Sequence, residues 1–171
     1  PRKRYIPPLP RKSVTPLSYL GWGKTTQLGY GFGLAMGAKV AHPEKLCINF
    51  WGEAAIGMTG MDFETCVRCQ IPIMSILSNN FGMKTEYAAM KLSHEKYRTC
   101  DISGNYAEFA KALGGYGERV TEPEQVVHAI VNGIRATQEG RPALLEFITT
   151  QEVRYSTDGA VPIETNAAGA E

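Results

Sequence analysis

Two short stretches carry residue types that could do chemistry together. One is Trp51-Gly52-Glu53-Ala54-Ala55, the other Asn79-Asn80-Phe81-Gly82, with Asn80 27 positions after Glu53. Each follows an apolar run of strand length, residues 46–51 (LCINFW) and 71–78 (IPIMSILS). If those runs lie side by side as parallel strands, their carboxyl ends bring a carboxylate and an amide oxygen to one edge of the sheet. That is the edge where open parallel sheets bind ligands. Hard oxygen donors of this kind suit Mg2+, which keeps octahedral geometry and is commonly shared with a substrate phosphate. The small residues after Glu53 would let backbone N–H groups approach an anion. The competing reading makes Glu53 a solvated loop acid.

Other reactive residues are less informative. Cys66 and Cys69 form a C-x-x-C pair, and Cys47 and Cys100 stand apart. A structural zinc site wants four ligands, yet no second pair or paired histidines follow. A redox pair belongs at a helix start, where the dipole lowers the thiol pKa, whereas this one lies late in a helical stretch. Reduced, buried cysteines are the expectation, and they suit a cytoplasmic protein. Among the histidines, His42 falls in a turn and His128 on a helix, both in surface or core roles. His94 lies in residues 84–99, where a substrate contact is the alternative. Gly29, Gly31 and Gly33 echo a dinucleotide-binding fingerprint, with Glu53 20 positions after Gly33. That motif needs a preceding strand, which GWGKTTQ is not.

The elements that must position these residues alternate along the chain. Residues 29–41 are small, apolar and helix-permissive, ending before Pro43. After the strand at 46–51, residues 61–70 read as a helix that leads into the strand at 71–78. Residues 106–113 read as a helix stopped by Gly114-Gly115. Thr121 and Glu124 have capping-box spacing, so the next helix is expected to open at Thr121. Val126, Val127, Ile130 and Ile134 form its apolar face, and it should end near Gly140. Residues 142–149 (PALLEFIT) are the final strand. Helices alternating with apolar strands predict an α/β fold, a three-layer α/β/α domain with a mostly parallel sheet.

Composition bounds the rest. The length of 171 residues fits one domain, and 43% hydrophobic residues are enough for a core. A net charge of +1 argues against nucleic-acid binding. No apolar run is long enough to span a bilayer, and no signal peptide is visible. Residues 1–18 are proline-rich and basic, a linker or docking arm. The folded domain is expected over 19–152, with a frayed tail over 153–171.

Taken together, Gly52-Glu53-Ala54 and Asn79-Asn80 resemble the signature of thiamine diphosphate enzymes, a Gly-Asp-Gly-like triplet followed some two dozen residues later by Asn-Asn. The glycine-rich run from Gly29 to Lys39 is similar to the family's helix upstream of the triplet. So are Met58-Thr59, Cys66-Val67-Arg68 and Ile71-Pro72-Ile73. The resemblance covers roughly residues 19–150 and is nearest to the acetolactate synthase-like group. It implies thiamine diphosphate and Mg2+ as cofactors, and 2-oxo acids or acyl-CoA compounds as substrates of a lyase or carboligase.

By that resemblance, Glu53 and Asn80 would bind magnesium through side chains and Gly82 through its carbonyl. Gly52, Ala54 and Ala55 would meet the diphosphate, the alanines through backbone N–H groups. Leu28 would support the bent cofactor, the Thr26 backbone would accept from its 4′-amino group, and Met83 completes the cofactor-binding set. Residues 84–99 fall where the family closes over the cofactor or varies. The sequence departs from the pattern in having Glu53 where the family has Asp. No catalytic residue is expected in this chain, because the family's activating glutamate lies on a pyrimidine-binding domain that nothing here resembles. The strand that usually precedes the glycine-rich helix is also not seen. The chain is therefore expected to follow a cut in a longer polypeptide, or to have a partner that supplies the remainder. A homo-oligomer is implied, with the glycine-rich helix and the 61–70 helix as its interface. The alternatives are a non-catalytic, degenerate domain kept for assembly and a nicotinamide-dependent oxidoreductase domain.

Overall fold

Four strands form one sheet among the residues that the computed structural model describes, 15–21, 27–83, 86–87 and 89–150. They are β1 (Ile48–Gly52), β2 (Met74–Asn79), β3 (Tyr116–Val120) and β4 (Ala143–Ile148), in the order β1-β2-β4-β3. Every pairing is parallel, so the expected sheet is found. The register pairs Gly52 with Ser78, so the turns after β1 and β2 leave the sheet at the same level.

Six helices accompany the sheet among the described residues: α1 (Tyr30–Ala41), α2 (Glu53–Thr59), α3 (Asp62–Arg68), α4 (Lys91–Tyr97), α5 (Tyr106–Ala112) and α6 (Val126–Gln138). On one face Phe32, Ile56, Phe63, Cys66 and Ala110, from α1, α2, α3 and α5, pack on Trp51, Leu77 and Leu144. On the other, Ala136, Ile130 and Ile134 of α6 pack on Met74, Ala143 and Leu145. The three layers follow. None of the described helices is long and apolar enough to cross a membrane.

Phe32 stacks on Trp51 at 4.7 Å between ring centroids with planes 3° apart, and tilts against Phe63 at 6.4 Å. Burying such a side chain contributes about 1.5–3 kcal/mol. The stack fixes α1 against the strand end that leads into Glu53. Gly29 caps α1 at φ 85°, and a Cβ there would strike Thr59. The Thr59 hydroxyl donates to the Gly29 carbonyl at 3.1 Å, so the start of α1 is pinned to the end of α2.

Several local readings change. The capping box at Thr121 does not form: a 3-10 turn, Pro123–Gln125, precedes α6, and Glu122 stands at its cap without a side-chain bond. Proline prefers the first helical position, which moves the cap one residue beyond Thr121. β2 begins at Met74, not at residue 71. The small residues after Glu53, given no element from the sequence, form α2. β3 and α4 are additional. β3 reads Tyr-Gly-Glu-Arg-Val, charged and short as edge strands are. Of the expected arm and tail, 1–14 and 151–171 lie outside the described residues, and Ser18 N–H closes a turn on the Thr15 carbonyl at 3.3 Å.

Candidate functional site

Gly52 ends β1 in an extended conformation, φ −105° and ψ 175°, and the chain enters α2 at once. Glu53 is therefore the first helical residue and faces the end of the neighbouring strand. It is 4% exposed, which overturns the solvated-acid reading. Its Oε1 accepts from the Gly82 N–H at 2.7 Å and from the Asn80 N–H at 3.3 Å.

The loop after β2 is organised around those bonds. Asn80 Oδ1 accepts from the same Gly82 N–H at 3.2 Å, so a carboxylate oxygen and an amide oxygen converge on one point. Phe81 sits at φ 63°, a left-handed conformation that is costly for a bulky residue. Its N–H donates to Asn79 Oδ1 at 3.0 Å. Three consecutive backbone N–H groups are thus taken up by side-chain oxygens. Beyond them, Gly82 bridges Asp101, with Met83 N–H donating to the Cys100 carbonyl at 2.8 Å and Ile102 N–H to the Phe81 carbonyl at 3.2 Å. Those flanking bonds leave the Gly82 carbonyl itself out of the bridge.

The donor set suits a small hard cation: one charged carboxylate, one amide oxygen and one backbone carbonyl. Glu53 Oε2 carries none of the hydrogen bonds found among the described residues, so the carboxylate keeps an oxygen to offer. Nearby, the Tyr106 phenol is pushed above its ordinary value, chiefly by burial and then by the Glu53 and Glu146 charges.

The structure brings Glu53, Asn80 and Gly82 together as expected, beside Gly52, half-buried Ala54 and buried Ala55. Leu28 is half-buried against the core cluster of α1 and β1. Thr26 lies outside the described residues. His94 is taken up locally: its Nδ1 accepts from the Cys100 N–H at 3.2 Å, and its ring lies 4.8 Å from Tyr87. His42 and His128 are exposed. Burial holds for Cys66 and Cys100, but Cys47 is half-buried, and Cys69 is exposed because α3 turns its Cys66 side to the core.

Sequence reasoning missed Glu146 and undervalued Asn79. Both are fully buried. Asn79 Nδ2 donates to Glu146 Oε1 at 2.7 Å, and Ala107 N–H donates to Glu146 Oε2 at 3.0 Å. The signal was present in PALLEFIT, where one acid interrupts an apolar strand covered on both faces. Buried charges need partners, so the acid should have been read as bonded.

The chain matches the family described as thiamine pyrophosphate enzyme, C-terminal TPP binding domain, over residues 9–147. It is 30% identical over 145 residues to a probable acetolactate synthase of Mycobacterium bovis, covering 84% of this chain and 26% of that protein. It is 28% identical over 138 residues to the 2-hydroxyacyl-CoA lyase 2 of Homo sapiens, covering 78% of this chain and 22% of that protein. A thiamine diphosphate-dependent 4-hydroxybenzoylformate decarboxylase of Rhodococcus jostii RHA1 shares the fold, with TM-score 0.64 and 22% identity over 74% of this chain and 24% of that one. This chain thus spans at most 26% of the length of these relatives. The family match leaves no place for the nicotinamide reading of Gly29, Gly31 and Gly33. With the glycine-rich helix, the start of α2 at Glu53 and the Asn79-Asn80 loop all inside the matched span, the chain belongs to the thiamine pyrophosphate enzymes, as a C-terminal cofactor-binding domain.

Proposed function

We propose that this domain holds thiamine diphosphate through Mg2+ as one half of an active site that decarboxylates or ligates 2-oxo acids or acyl-CoA compounds. The observation that carries the reading is the convergence of Glu53 Oε1 and Asn80 Oδ1 on the Gly82 N–H. Glu53, Asn80 and the Gly82 carbonyl would hold the cation. Gly52 and the backbone N–H groups of Ala54 and Ala55 would meet the diphosphate, and Leu28, Thr26 and Met83 the rest of the cofactor. Bound thiamine diphosphate supplies an electron sink for breaking or forming the bond beside a carbonyl. The residues of this chain bind and orient. The activating acid comes from a pyrimidine-binding domain outside these residues, contributed within a homo-oligomer. The names of the relatives, acetolactate synthase and 2-hydroxyacyl-CoA lyase, support the two substrate classes.

Calorimetric titration of the full-length protein with thiamine diphosphate, with and without Mg2+, tests the reading. Binding is expected only with the metal, and Glu53→Gln is expected to abolish it. The 171-residue chain alone is expected not to turn over substrate, and robust decarboxylation by it would overturn the half-site reading. A second reading has its own observation: Glu53 Oε1 already fills two loop N–H groups, as a side chain closing a lost metal site would. Magnesium-independent behaviour with no cofactor binding, even beside a pyrimidine domain, would favour that degenerate domain.

A further inference from the structure

A carboxylate in the middle of a sheet is costly unless each oxygen is bonded. Glu146 lies in β4, flanked by β2 and β3, and is 0% exposed. Both oxygens are used: Oε1 by Asn79 Nδ2 at 2.7 Å and Oε2 by the Ala107 N–H at 3.0 Å. Arg119 Nε, on β3, stands 3.9 Å from Oε1 and offsets the charge. Gly117 lets α5 come close enough for the Ala107 bond, because a Cβ there would meet the Ala107 backbone.

These bonds decide which way the Asn79 amide points. The Phe81 N–H must have an acceptor, and Asn79 Oδ1 supplies it. The amide nitrogen therefore faces Glu146, which has to accept. We propose that Glu146 is a positioning residue: by accepting from Asn79 it fixes the polarity of that amide, and through Phe81 it sets the loop that presents Asn80 and Gly82. A glutamine cannot replace it. It carries one acceptor and one donor, so in either orientation an N–H faces an N–H, of Asn79 or of Ala107. Glu146 touches neither metal nor cofactor in this scheme. The proposal rests on the function above for what the loop binds, but not for how the loop is set.

The test uses the full-length protein and the variants Glu146→Gln, Asn79→Asp and the double variant. In the double variant the polarity reverses. The introduced glutamine donates to the introduced aspartate and accepts from the Ala107 N–H, while the aspartate still accepts from the Phe81 N–H. Calorimetry with thiamine diphosphate at increasing Mg2+ should show each single variant needing about 10- to 100-fold more metal for half-saturation. Cofactor affinity at saturating metal should recover, and the double variant should regain most of the loss. Hydrogen exchange at the Asn80, Phe81 and Gly82 amides, without cofactor, should show protection lost in the singles and restored in the double. Singles with the wild-type metal requirement and protection, or a folded double variant as impaired as the singles, would overturn the proposal. Where a single variant does not fold, the double variant decides. A wild-type protein that binds no cofactor refutes the proposed function instead, and the exchange data then still decide the role of Glu146.

Discussion

Gly82 N–H donates to Glu53 Oε1 at 2.7 Å although the two residues are 29 positions apart. The bond crosses from the end of β1 to the loop beyond β2, strands whose register ends level at Gly52 and Ser78. It places a buried acid in the same small volume as Asn80 Oδ1. The glutamate side chain is long enough to span that gap.

If this carboxylate holds the loop, removing it leaves the Asn80 N–H without its acceptor and the Gly82 N–H with only the longer bond to Asn80 Oδ1. An unsatisfied buried donor costs about 1–3 kcal/mol. Glu53→Ala should lower unfolding free energy by about that much in urea titrations. An unchanged midpoint and slope would mean that the bond contributes nothing.

Gly117→Ala tests the close approach of α5 and β3. The new Cβ would stand 2.8 Å from the Ala107 carbonyl carbon, a backbone atom that cannot swing aside. Overpacking of this kind costs about 1–3 kcal/mol, and chemical denaturation should show it. A variant as stable as the wild type would show that α5 can lift away freely.

Alkaline stability should depend on Cys66. Burial, then the nearby Asp62 and Cys69, push its thiol from an ordinary 9.0 up to about 12. The unfolded chain releases this proton first, so the contribution is full below pH 9.0 and is lost as pH rises through about 12. Cys66→Ala should flatten the decline of stability across that window. Below it, exposed Cys69 should react with a thiol reagent while Cys66 does not. Equal labelling of both would contradict the burial.

The proposed homo-oligomer can be probed at Gly37 on α1, where an added Cβ meets nothing within 4 Å in this chain. Gly37→Arg should therefore leave the fold intact, as judged by circular dichroism, while dissociating the oligomer in light scattering. An intact assembly would remove α1 from the interface.

The exposed thiol and the buried one also show what helical spacing alone leaves open. Cys66 and Cys69 share α3 and its C-terminal cap, yet only one faces the core. Likewise the Thr121-Glu124 spacing was a sound local signal, but Pro123 claimed the first helical position and moved the start of α6 to Val126.

By itself the sequence determined the alternation of helices and strands, the parallel sheet, and the pairing of Glu53 with the Asn79-Asn80 turn. These rest on periodicity and spacing, which are local properties of the chain. Only the tertiary structure decided that Glu53 is buried, that β3 joins the sheet as an edge, and that Glu146 lies behind the loop. The partners of Glu146 come from residues 67 and 39 positions away, and a buried charge can be understood only once the groups that satisfy it are in place.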